Sequence, residues 1–233
     1  MASKSKRVKT IEKFVSEQKR SLYTIEEAVE ALQKCPQTKF DQSITTALKV
    51  GIDPKKSEQQ VRGTVTLPHG TGKTLKVVVV AKGDKIQEAK NAGADEAGSD
   101  ELIEKIKEGW TDFDVLIATP EMMREVGKLG KVLGPRGLMP TPKGGTVTAD
   151  VEKAVKEMKG GKIEFKMDKS GVIQNVVGKI SFSKEKLAEN IRVLLQAIVK
   201  AKPASAKGIF LQSLYLASTM GPGLKIDLQE LNG

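Results

Sequence analysis

The sequence predicts an α/β protein with two domains, one inserted into the other. We expect residues 1–67 and 160–233 to form a discontinuous α+β sandwich domain from both termini. We expect residues 68–159 to form an inserted three-layer α/β/α (Rossmann-like) domain. Three observations predict this division: the distribution of charge, a change in strand pattern, and the Pro/Gly-rich stretches at 67–70 and 160–161.

The excess positive charge lies in the two outer segments. The chain has 233 residues, with 39 Lys and Arg against 29 Asp and Glu, and a formal net charge of +10. Residues 1–67 carry 13 basic and 8 acidic side chains, residues 160–233 carry 11 and 6, and residues 68–159 carry 15 of each. Both outer segments show strand and helix patterns, so one basic domain explains the charge more simply than two basic tails.

The first outer segment predicts a helix followed by two half-buried strands. Thr24 and Glu27 fit a capping box, and the apolar residues after them share one helical face until Pro36. Apolar and polar residues alternate over 44–50 and again over 61–67, as is typical of strands with one buried face.

The inserted segment has the pattern of a doubly wound sheet. The apolar runs within 76–81 and 113–120 are typical of strands that are covered on both faces. Asp84 and Ser99 are predicted helix caps, and the helix after Ser99 is expected to end at Gly109. Alternating strands and helices predict a parallel sheet between two helical layers.

The last segment returns to half-buried strands. Residues 162–167 and 172–182 flank the turn 168–171, and this arrangement predicts a β-hairpin. An amphipathic helix over 184–201 and two further strands complete the segment. Hairpins combined with crossing helices favour an open α+β sandwich.

Composition excludes several function classes. Cys35 and His69 are the only residues of their types, so a disulfide framework, a Cys-rich zinc site and a His-based triad are excluded. No His or Cys lies near the carboxylates to act as a base or nucleophile. We therefore expect a protein that is not an enzyme and has neither a cofactor nor a metal site. The chain shows neither a membrane span nor a secretory signal, so we expect a reduced, cytoplasmic protein.

Two glycine-containing stretches each allow two interpretations. Residues 70–74 resemble part of a P-loop, but Leu67 stands where its first Gly should be and a strand follows in place of a helix. A polar interdomain loop is the other interpretation. Arg136 and Lys143, in the Gly/Pro-rich stretch 133–145, either meet phosphates or belong to a surface loop.

The chain also begins with a basic cluster, formed by Lys4, Lys6, Arg7 and Lys9. Such a cluster is either a solvated helix face or a surface that follows phosphates.

The turn at 219–223 is the most informative stretch. The Thr219 hydroxyl can donate and accept, Met220 offers a polarizable surface for a base or ribose, and Gly221 leaves the backbone open. A turn without a ligand is the alternative when this stretch is considered alone.

Several longer motifs occur in a fixed order along nearly the whole chain. They are Lys39-Phe-Asp-Gln-Ser43, Val50-Gly-Ile-Asp-Pro54, Val61-Arg-Gly-Thr-Val65, Leu67-Pro-His-Gly70, Lys131-Val-Leu-Gly-Pro-Arg-Gly-Leu-Met-Pro140 and Thr219-Met-Gly-Pro222. Together they resemble the bacterial type of the L-one family of large-subunit ribosomal proteins. The resemblance is specific because it rests on several motifs in the same order and not on any one of them.

The resemblance implies a structural constituent of the large ribosomal subunit with a first domain built from both termini. It implies binding to the rRNA of the mobile lateral stalk near the tRNA exit site, and help in releasing deacylated tRNA. It also implies repression of the protein's own operon through its mRNA. The implied partners are 23S-type rRNA, exit-site tRNA and own-operon mRNA, for a ribosome-associated protein that is a monomer when free.

The resemblance also implies which residues bind RNA, all on the terminal domain. They are Lys39, Phe40 and Ser43 at the start of the first strand, Lys166, Asp168 and Lys169 in the hairpin, Ser213 on the late strand, and Thr219, Met220 and Gly221 in the turn. Hydroxyls in this set suit 2′-hydroxyl groups and lysines suit phosphates, because folded RNA is recognised largely by shape and backbone.

Three hairpin and strand residues leave questions open. Phe40 either meets RNA or packs under the strand as a scaffold. Asp168 either accepts from a base or 2′-hydroxyl, or orients a neighbouring Lys. Met167 departs from the polar residue expected in the hairpin.

Two other function classes are weighed against RNA binding. A nucleotide-binding hydrolase that uses residues 70–74 would bind ATP or GTP and lose that binding in Lys73→Ala. A DNA-binding regulator would prefer duplex DNA to rRNA, but the sequence has no helix-turn-helix signature.

Overall fold

The computed structural model describes residues 5–17, 21–52, 60–203, 206 and 208–228. Lys4 of the basic cluster and the Asp53-Pro54 end of one quoted motif lie outside the described residues. The chain divides into two compact units, Met1–Gly72 with Phe165–Gly233 and, between them in sequence, Lys73–Glu164. We call these the sheet unit and the inserted unit.

The helices and strands that the sequence patterns predict are present, and the structure adds a strand at Glu96–Gly98 and helices at Gly130–Leu133 and Val151–Lys159 that were not predicted. In chain order, the elements are α1 (Lys6–Glu17), α2 (Ile25–Lys34), β1 (Ser43–Val50), β2 (Arg62–Thr66), β3 (Val77–Val80), α3 (Asp84–Asn91), β4 (Glu96–Gly98), α4 (Asp100–Lys107), β5 (Val115–Ala118), α5 (Met123–Lys128), α6 (Gly130–Leu133), α7 (Val151–Lys159), β6 (Lys162–Lys166), β7 (Val172–Lys179), α8 (Lys184–Lys200), β8 (Leu211–Ser218) and β9 (Gly223–Ile226).

The sheet unit is built on an antiparallel sheet with the strand order β7-β1-β8-β9. Its central strand β1 comes from the first chain segment, whereas its neighbours β7 and β8 come from the second. A strand from one end of the chain therefore completes its hydrogen bonds only with strands from the other end. β2 and β6 form a separate two-stranded sheet.

One face of this sheet is covered by α2 and α8. Burial alternates along β1, with Ile44, Leu48 and Val50 on the covered side. Leu187 and Ile191 of α8 are fully buried against that side. Each fully buried aliphatic side chain in this layer stabilises the fold by about 1.5–3 kcal/mol. The other sheet face carries the exposed strand residues.

The helix that begins after Thr24 confirms the predicted capping box. The Thr24 hydroxyl accepts from Glu27 N at 3.3 Å, and the Glu27 carboxylate accepts from Thr24 N at 3.2 Å. Each partner satisfies a backbone N–H that the first helical turn leaves without an acceptor.

The predicted hairpin is only partly correct. The turn forms: Gly171 has a φ of 76° and its N–H donates to Asp168 O at 3.2 Å. Beyond a single bridge between Met167 and Ile173, however, the two strands separate, β6 to pair with β2 and β7 to pair with β1. The sequence shows the turn but not the partner of each strand, because pairing partners lie far away in the chain.

The inserted unit contains a parallel sheet in the order β4-β3-β5 between two helical layers. All four residues of β3 are buried, two facing each layer. One layer contains α4, α5 and α6, and the other contains α3 and α7. The α/β class and the three-layer arrangement predicted from the apolar runs are therefore confirmed.

Of the two predicted helix caps in the inserted unit, the one at Asp84 is wrong and the one at Ser99 is correct in position only. Gly83, with a φ of 60°, precedes α3, and Asp84 is its first helical residue rather than its cap. Ser99 does precede α4, but its side chain makes no capping hydrogen bond. Asp84, Asp100 and Glu101 supply first-turn carboxylates, which favour a helix start through its dipole without a cap bond. Gly109 follows α4 with a φ of 106°, as expected.

Within the described ranges, no helix is both long enough and apolar enough to span a bilayer.

Candidate nucleic-acid interface

The turn after β8 is fixed to the start of β1 by hydrogen bonds. Thr219 N donates to Ser43 O at 3.0 Å, and Ser43 N donates to Thr219 Oγ1 at 3.0 Å. The Thr219 hydroxyl also donates to Ser43 O at 3.2 Å. Its proton is thus used within the protein, so Thr219 can offer RNA only an acceptor and otherwise positions Ser43.

Met220 is held with its side chain in solvent. Its N–H donates to Gln42 Oε1 at 3.0 Å, and its carbonyl accepts from Arg7 Nη2 at 3.0 Å. Gln42 is almost fully buried, and it donates in turn to Gln37 Oε1. With both backbone groups anchored, the side chain remains 54% exposed.

Gly221 is needed for packing within this turn. A Cβ at this position would overlap Ser218 Oγ, which belongs to a buried side chain. Gly221 N donates to Ser218 O at 3.0 Å, which closes the turn. The residue therefore serves the shape of the turn, as well as leaving its backbone accessible.

Ser43 has a hydrogen to donate. Its Oγ accepts from Lys179 Nζ at 3.0 Å, and Lys179 Nζ also donates to Asp41 O at 3.4 Å. The Asp41 carboxylate accepts from Ser181 Oγ at 2.7 Å, which holds this acid toward the loop after β7. The polar groups around Ser43 are thereby oriented before any ligand arrives.

Lys39 and Phe40 stand exposed beside this cluster. The Phe40 side chain is 53% exposed, so the alternative that it packs under the strand is wrong. Both residues line a surface cavity together with Gln33, Gln37 and Ser181. Among the described residues, Lys39 has no carboxylate partner. We call Lys39, Phe40, Ser43, Thr219, Met220 and Gly221 the turn patch.

The hairpin residues form a second group. Asp168 Oδ1 accepts from Ser170 N at 2.7 Å and from Val172 N at 2.8 Å, so this carboxylate holds the turn rather than orienting a lysine. Lys166 and Lys169 are exposed, and neither forms an ion pair with any described residue. Met167 points inward and is buried, which explains an apolar residue between exposed neighbours.

Ser213 lies at the hairpin end of the sheet. It is directly opposite Lys49, which is in turn opposite Val172 of β7. We call Lys166, Asp168, Lys169 and Ser213 the hairpin patch. The turn patch begins at Ser43 and the hairpin patch lies beside Lys49, so about 20 Å of β1 separates them at ~3.3 Å per residue.

The sheet between the two patches carries no acidic residue. None of β1, β7, β8 and β9 contains Asp or Glu, whereas they contain Lys49, Lys179 and Lys225. Lys49 and Lys225 are exposed and have no carboxylate partner within the described part of the chain. The predicted residues therefore lie at the two ends of one positively charged surface.

Several residues at this surface were missed by sequence reasoning. Gln37 and Gln42 anchor the turn patch together with Arg7, which was noted only as a member of the N-terminal basic cluster. Nothing in their local sequence shows that these three residues converge. Lys49 and Lys225 had a usable signal, since the alternation that buries one side of a strand also exposes the other. Lys6 and Lys9 of the N-terminal cluster are exposed on α1.

The P-loop-like stretch forms no phosphate-binding loop. β3 follows it, where a P-loop requires a helix. Lys73 Nζ is 2.5 Å from Asp114 Oδ1, so this amine is already paired. Arg136 in the Gly/Pro-rich stretch donates to Thr111, and Lys143 lies in a short 3-10 turn.

The described residues show no catalytic or metal-binding cluster. No group of three or more His, Cys, Asp and Glu side chains among them could hold a metal ion. Burial raises the pKa of the Cys35 thiol, which favours the unreactive protonated form. The His69 ring lies 2.7 Å from Glu189 and has no nucleophile among its hydrogen-bond partners.

Known proteins are similar to this chain over nearly its whole length. The profile of the ribosomal protein L1p/L10e family matches residues 31–222. A protein of Protochlamydia amoebophila (strain UWE25), called large ribosomal subunit protein uL1, is 64% identical over 230 residues, which cover 99% of this chain and 97% of that protein. Proteins with the same name are 60% identical in Chlamydia caviae, over 90% of each chain, and 56% identical in Kosmotoga olearia, over 99% of each chain.

Proposed function

Since the chain belongs to the ribosomal protein L1p/L10e family, we propose that it binds ribosomal RNA of the large subunit through the turn patch and the hairpin patch. Proteins of this family are structural components of the ribosome and not enzymes. Its function is accordingly to hold folded RNA rather than to transform a substrate.

The acid-free sheet surface is the observation that carries this proposal. Lys39, Lys49, Lys166, Lys169 and Lys225 have no carboxylate partner among the described residues. An amine that is not paired within the protein can neutralise an RNA phosphate and release its counterion. No carboxylate in the four strands would repel the backbone as it approaches.

The two patches suit different parts of an RNA. In the turn patch, the Ser43 hydroxyl donates, the Thr219 oxygen accepts, and Met220 offers an apolar contact for a ribose or base. In the hairpin patch, Lys166 and Lys169 meet phosphates, while Ser213 has a hydroxyl without a partner among the described residues. A separation of about 20 Å suits a folded RNA that touches the sheet at both ends.

We further propose the finer function that the family resemblance implies. The RNA is that of the mobile lateral stalk, and the protein assists release of deacylated tRNA from the exit site. The same patches bind an mRNA element of the protein's own operon and repress its translation. The protein acts in the cytoplasm on the ribosome and is a monomer when free.

Domain organisation belongs to the same proposal. We propose that residues 1–67 with 160–233 act as the RNA-binding domain and that residues 68–159 act as an inserted domain with weaker RNA contact. The neutral charge of the insert supports the weaker contact.

The test is the affinity for a stalk rRNA fragment, measured against random RNA of equal length over a range of salt concentrations. Met220→Asp should weaken specific binding at least about tenfold, because a lost contact and an added repulsion exceed ~1.4 kcal/mol. Thr219→Val, which keeps the shape of the side chain but removes its hydrogen bonds, should also weaken binding.

Val199→Asp is the matched control, because Val199 is also an exposed apolar residue of the sheet unit but lies on α8. Its affinity should stay within about twofold of the unmodified protein. Unchanged affinity in both Met220→Asp and Thr219→Val would exclude the turn patch as an RNA site.

A further inference from the structure

The exposed sheet face between the two patches contains an aromatic side chain that the predicted RNA site does not include. Tyr215 lies in the middle of β8 and is 42% exposed. The other tyrosine of the chain, Tyr23, is buried, which shows that exposure here is a property of the position.

The neighbours of Tyr215 on this face are small or cationic. Ala47 of β1 and Lys225 of β9 are directly opposite it. Ser213 and Ala217 lie two residues before and after it on the same strand, and therefore on the same face. Ala47, Ser213 and Ala217 are too small to cover an aromatic ring, and Tyr215 accordingly remains 42% exposed and open to a flat partner.

Charge on both sides of Tyr215 favours a polyanion. Lys225 is the direct cross-strand neighbour of Tyr215. Lys49 is its diagonal neighbour on β1, and residues in that relation are roughly 7–8 Å apart. Neither lysine pairs with a carboxylate of the described residues. An aromatic ring between two available cations combines a stacking surface for a base with contacts for the phosphates beside that base.

We propose that Tyr215, Lys49 and Lys225 form a binding site for one unpaired nucleotide of the bound RNA, with its base stacked on Tyr215. The inference rests on the proposed function and extends it, since it assigns a single-stranded element to the middle of the sheet. The two patches then hold folded RNA on either side of an extruded base.

The chemistry excludes a purely apolar partner. The exposed apolar residue nearest in register is Val176, which is opposite Thr45 rather than next to Tyr215. An apolar protein surface or the hydrocarbon of a lipid at this place would leave Lys49 and Lys225 without counter-charges. A nucleotide satisfies the ring and both amines together.

The experiment compares the full-length protein and its Tyr215 variants for binding to two RNAs. One is the stalk rRNA fragment, and the other is the same fragment with its unpaired nucleotides closed into base pairs. Tyr215→Ala should weaken binding to the first RNA about 5- to 150-fold, the change that corresponds to ~1–3 kcal/mol for one stacked base. Its effect on the second RNA should be less than about twofold.

Two further Tyr215 variants separate stacking from other contributions. Tyr215→Phe keeps the ring and should bind like the unmodified protein, whereas Tyr215→Leu keeps apolar area without an aromatic face and should bind like Tyr215→Ala. Lys225→Gln should lower the salt slope by about one, while Lys186→Gln, on the helical side of the same unit, should leave it unchanged.

Each outcome has one meaning. Equal binding by Tyr215→Leu and Tyr215→Phe would overturn stacking, and full binding by Tyr215→Ala would overturn the site. Concentration-dependent dimerisation that Tyr215→Ala abolishes would assign the face to a second copy of the chain and equally overturn the proposal. If the unmodified protein does not bind the RNA, the proposed function itself fails.

Discussion

The lysines of the sheet face and those of the inserted unit differ in what surrounds them. In the inserted unit, many lysines form ion pairs: Lys73–Asp114, Lys76–Asp112, Lys105–Glu96, Lys128–Glu125, Lys156–Glu152, Lys159–Asp95 and Lys162–Glu157. On the sheet face, Lys49 and Lys225 have no such partner among the described residues. The two regions therefore differ in where their carboxylates lie relative to their lysines, as well as in how many charged residues they contain.

The comparison predicts that an amine without a carboxylate partner matters more for RNA binding than a basic composition does. The hydrogen bond from Lys73 lowers the pKa of Asp114, and the hydrogen bond to Asp112 raises the pKa of Lys76. Those paired amines would have to leave a carboxylate before they met a phosphate. Unpaired amines on the sheet face need no such exchange, so we expect them to contribute more to RNA binding.

The largest expected effect concerns which segments of the chain can fold by themselves. A fragment of residues 1–67 should show no cooperative thermal unfolding, because β1 then lacks both β7 and β8. A fragment of residues 73–164 should unfold cooperatively, since its sheet is covered on both faces by its own helices. Circular dichroism on heating measures both, and a folded 1–67 fragment would contradict the two-terminus domain.

A core substitution should affect one unit far more than the other. Ile191→Ala removes a fully buried side chain from α8 and should destabilise the sheet unit by about 2–5 kcal/mol. Amide exchange should accelerate in β1 and β8 but not in β3 and β5. Ile117→Ala, at an equally buried position of the inserted unit, should give the reverse pattern. Equal acceleration in both sheets would mean that the units unfold together.

Neutralising lysines of the sheet unit should weaken RNA binding, whereas neutralising lysines of the inserted unit should not. The triple variant Lys49→Gln, Lys166→Gln and Lys169→Gln should bind rRNA roughly 10- to 100-fold more weakly and lower the salt slope by about three. The matched triple Lys76→Gln, Lys128→Gln and Lys156→Gln removes the same charge from the inserted unit and should change neither quantity appreciably. Equal losses would show that net charge alone governs binding.

The smallest expected effect concerns a carboxylate of the inserted unit. Asp95 Oδ2 accepts from Val77 N at 2.9 Å, and this bond, with Lys159 nearby, holds the pKa of Asp95 below its usual value. Asp95→Ala should lower the free energy of unfolding by about 1 kcal/mol at pH 7, a modest value because the carboxylate is partly exposed.

The pH dependence of this loss has a definite sign. A lowered folded-state pKa stabilises the fold above the unfolded value of about 3.9, and this contribution disappears as the pH falls through the folded-state pKa. The difference between Asp95→Ala and the unmodified protein should therefore shrink below about pH 4. Denaturant unfolding at pH 7 and pH 3 measures it, and a constant difference would assign the loss to packing.

Local sequence patterns predicted much of the fold. The capping box at Thr24, the alternation along β1 and the apolar run of β3 each depend on residues within one element, and each is confirmed. The cap at Asp84 was wrong by one position, and Ser99 occupies the cap position without making the capping hydrogen bond, because a carboxylate or hydroxyl near a helix start has more than one favourable arrangement. The hairpin was half correct because its turn is local but its strand partners are not.

The candidate site, like the fold, could be predicted only in part. Its ten predicted residues rest on the family resemblance, and their binding to RNA stays a prediction. Exposure of Phe40 and Met220, and the inward side chain of Met167, became known only from the structure. The role of Thr219 also became known only from the structure, in which its hydroxyl donates a hydrogen bond to Ser43 O.

By itself, the sequence determined the elements, the charge of each segment and the residues that can bury, cap or turn, since these follow from neighbours along the chain. The tertiary structure alone decided that β1 lies between two strands from the far end, and that Ser43 meets Thr219 across 176 positions. It also decided which lysines lack a carboxylate. Contacts between distant residues depend on the whole set of competing pairings, and no local pattern records which of those pairings has the lowest free energy.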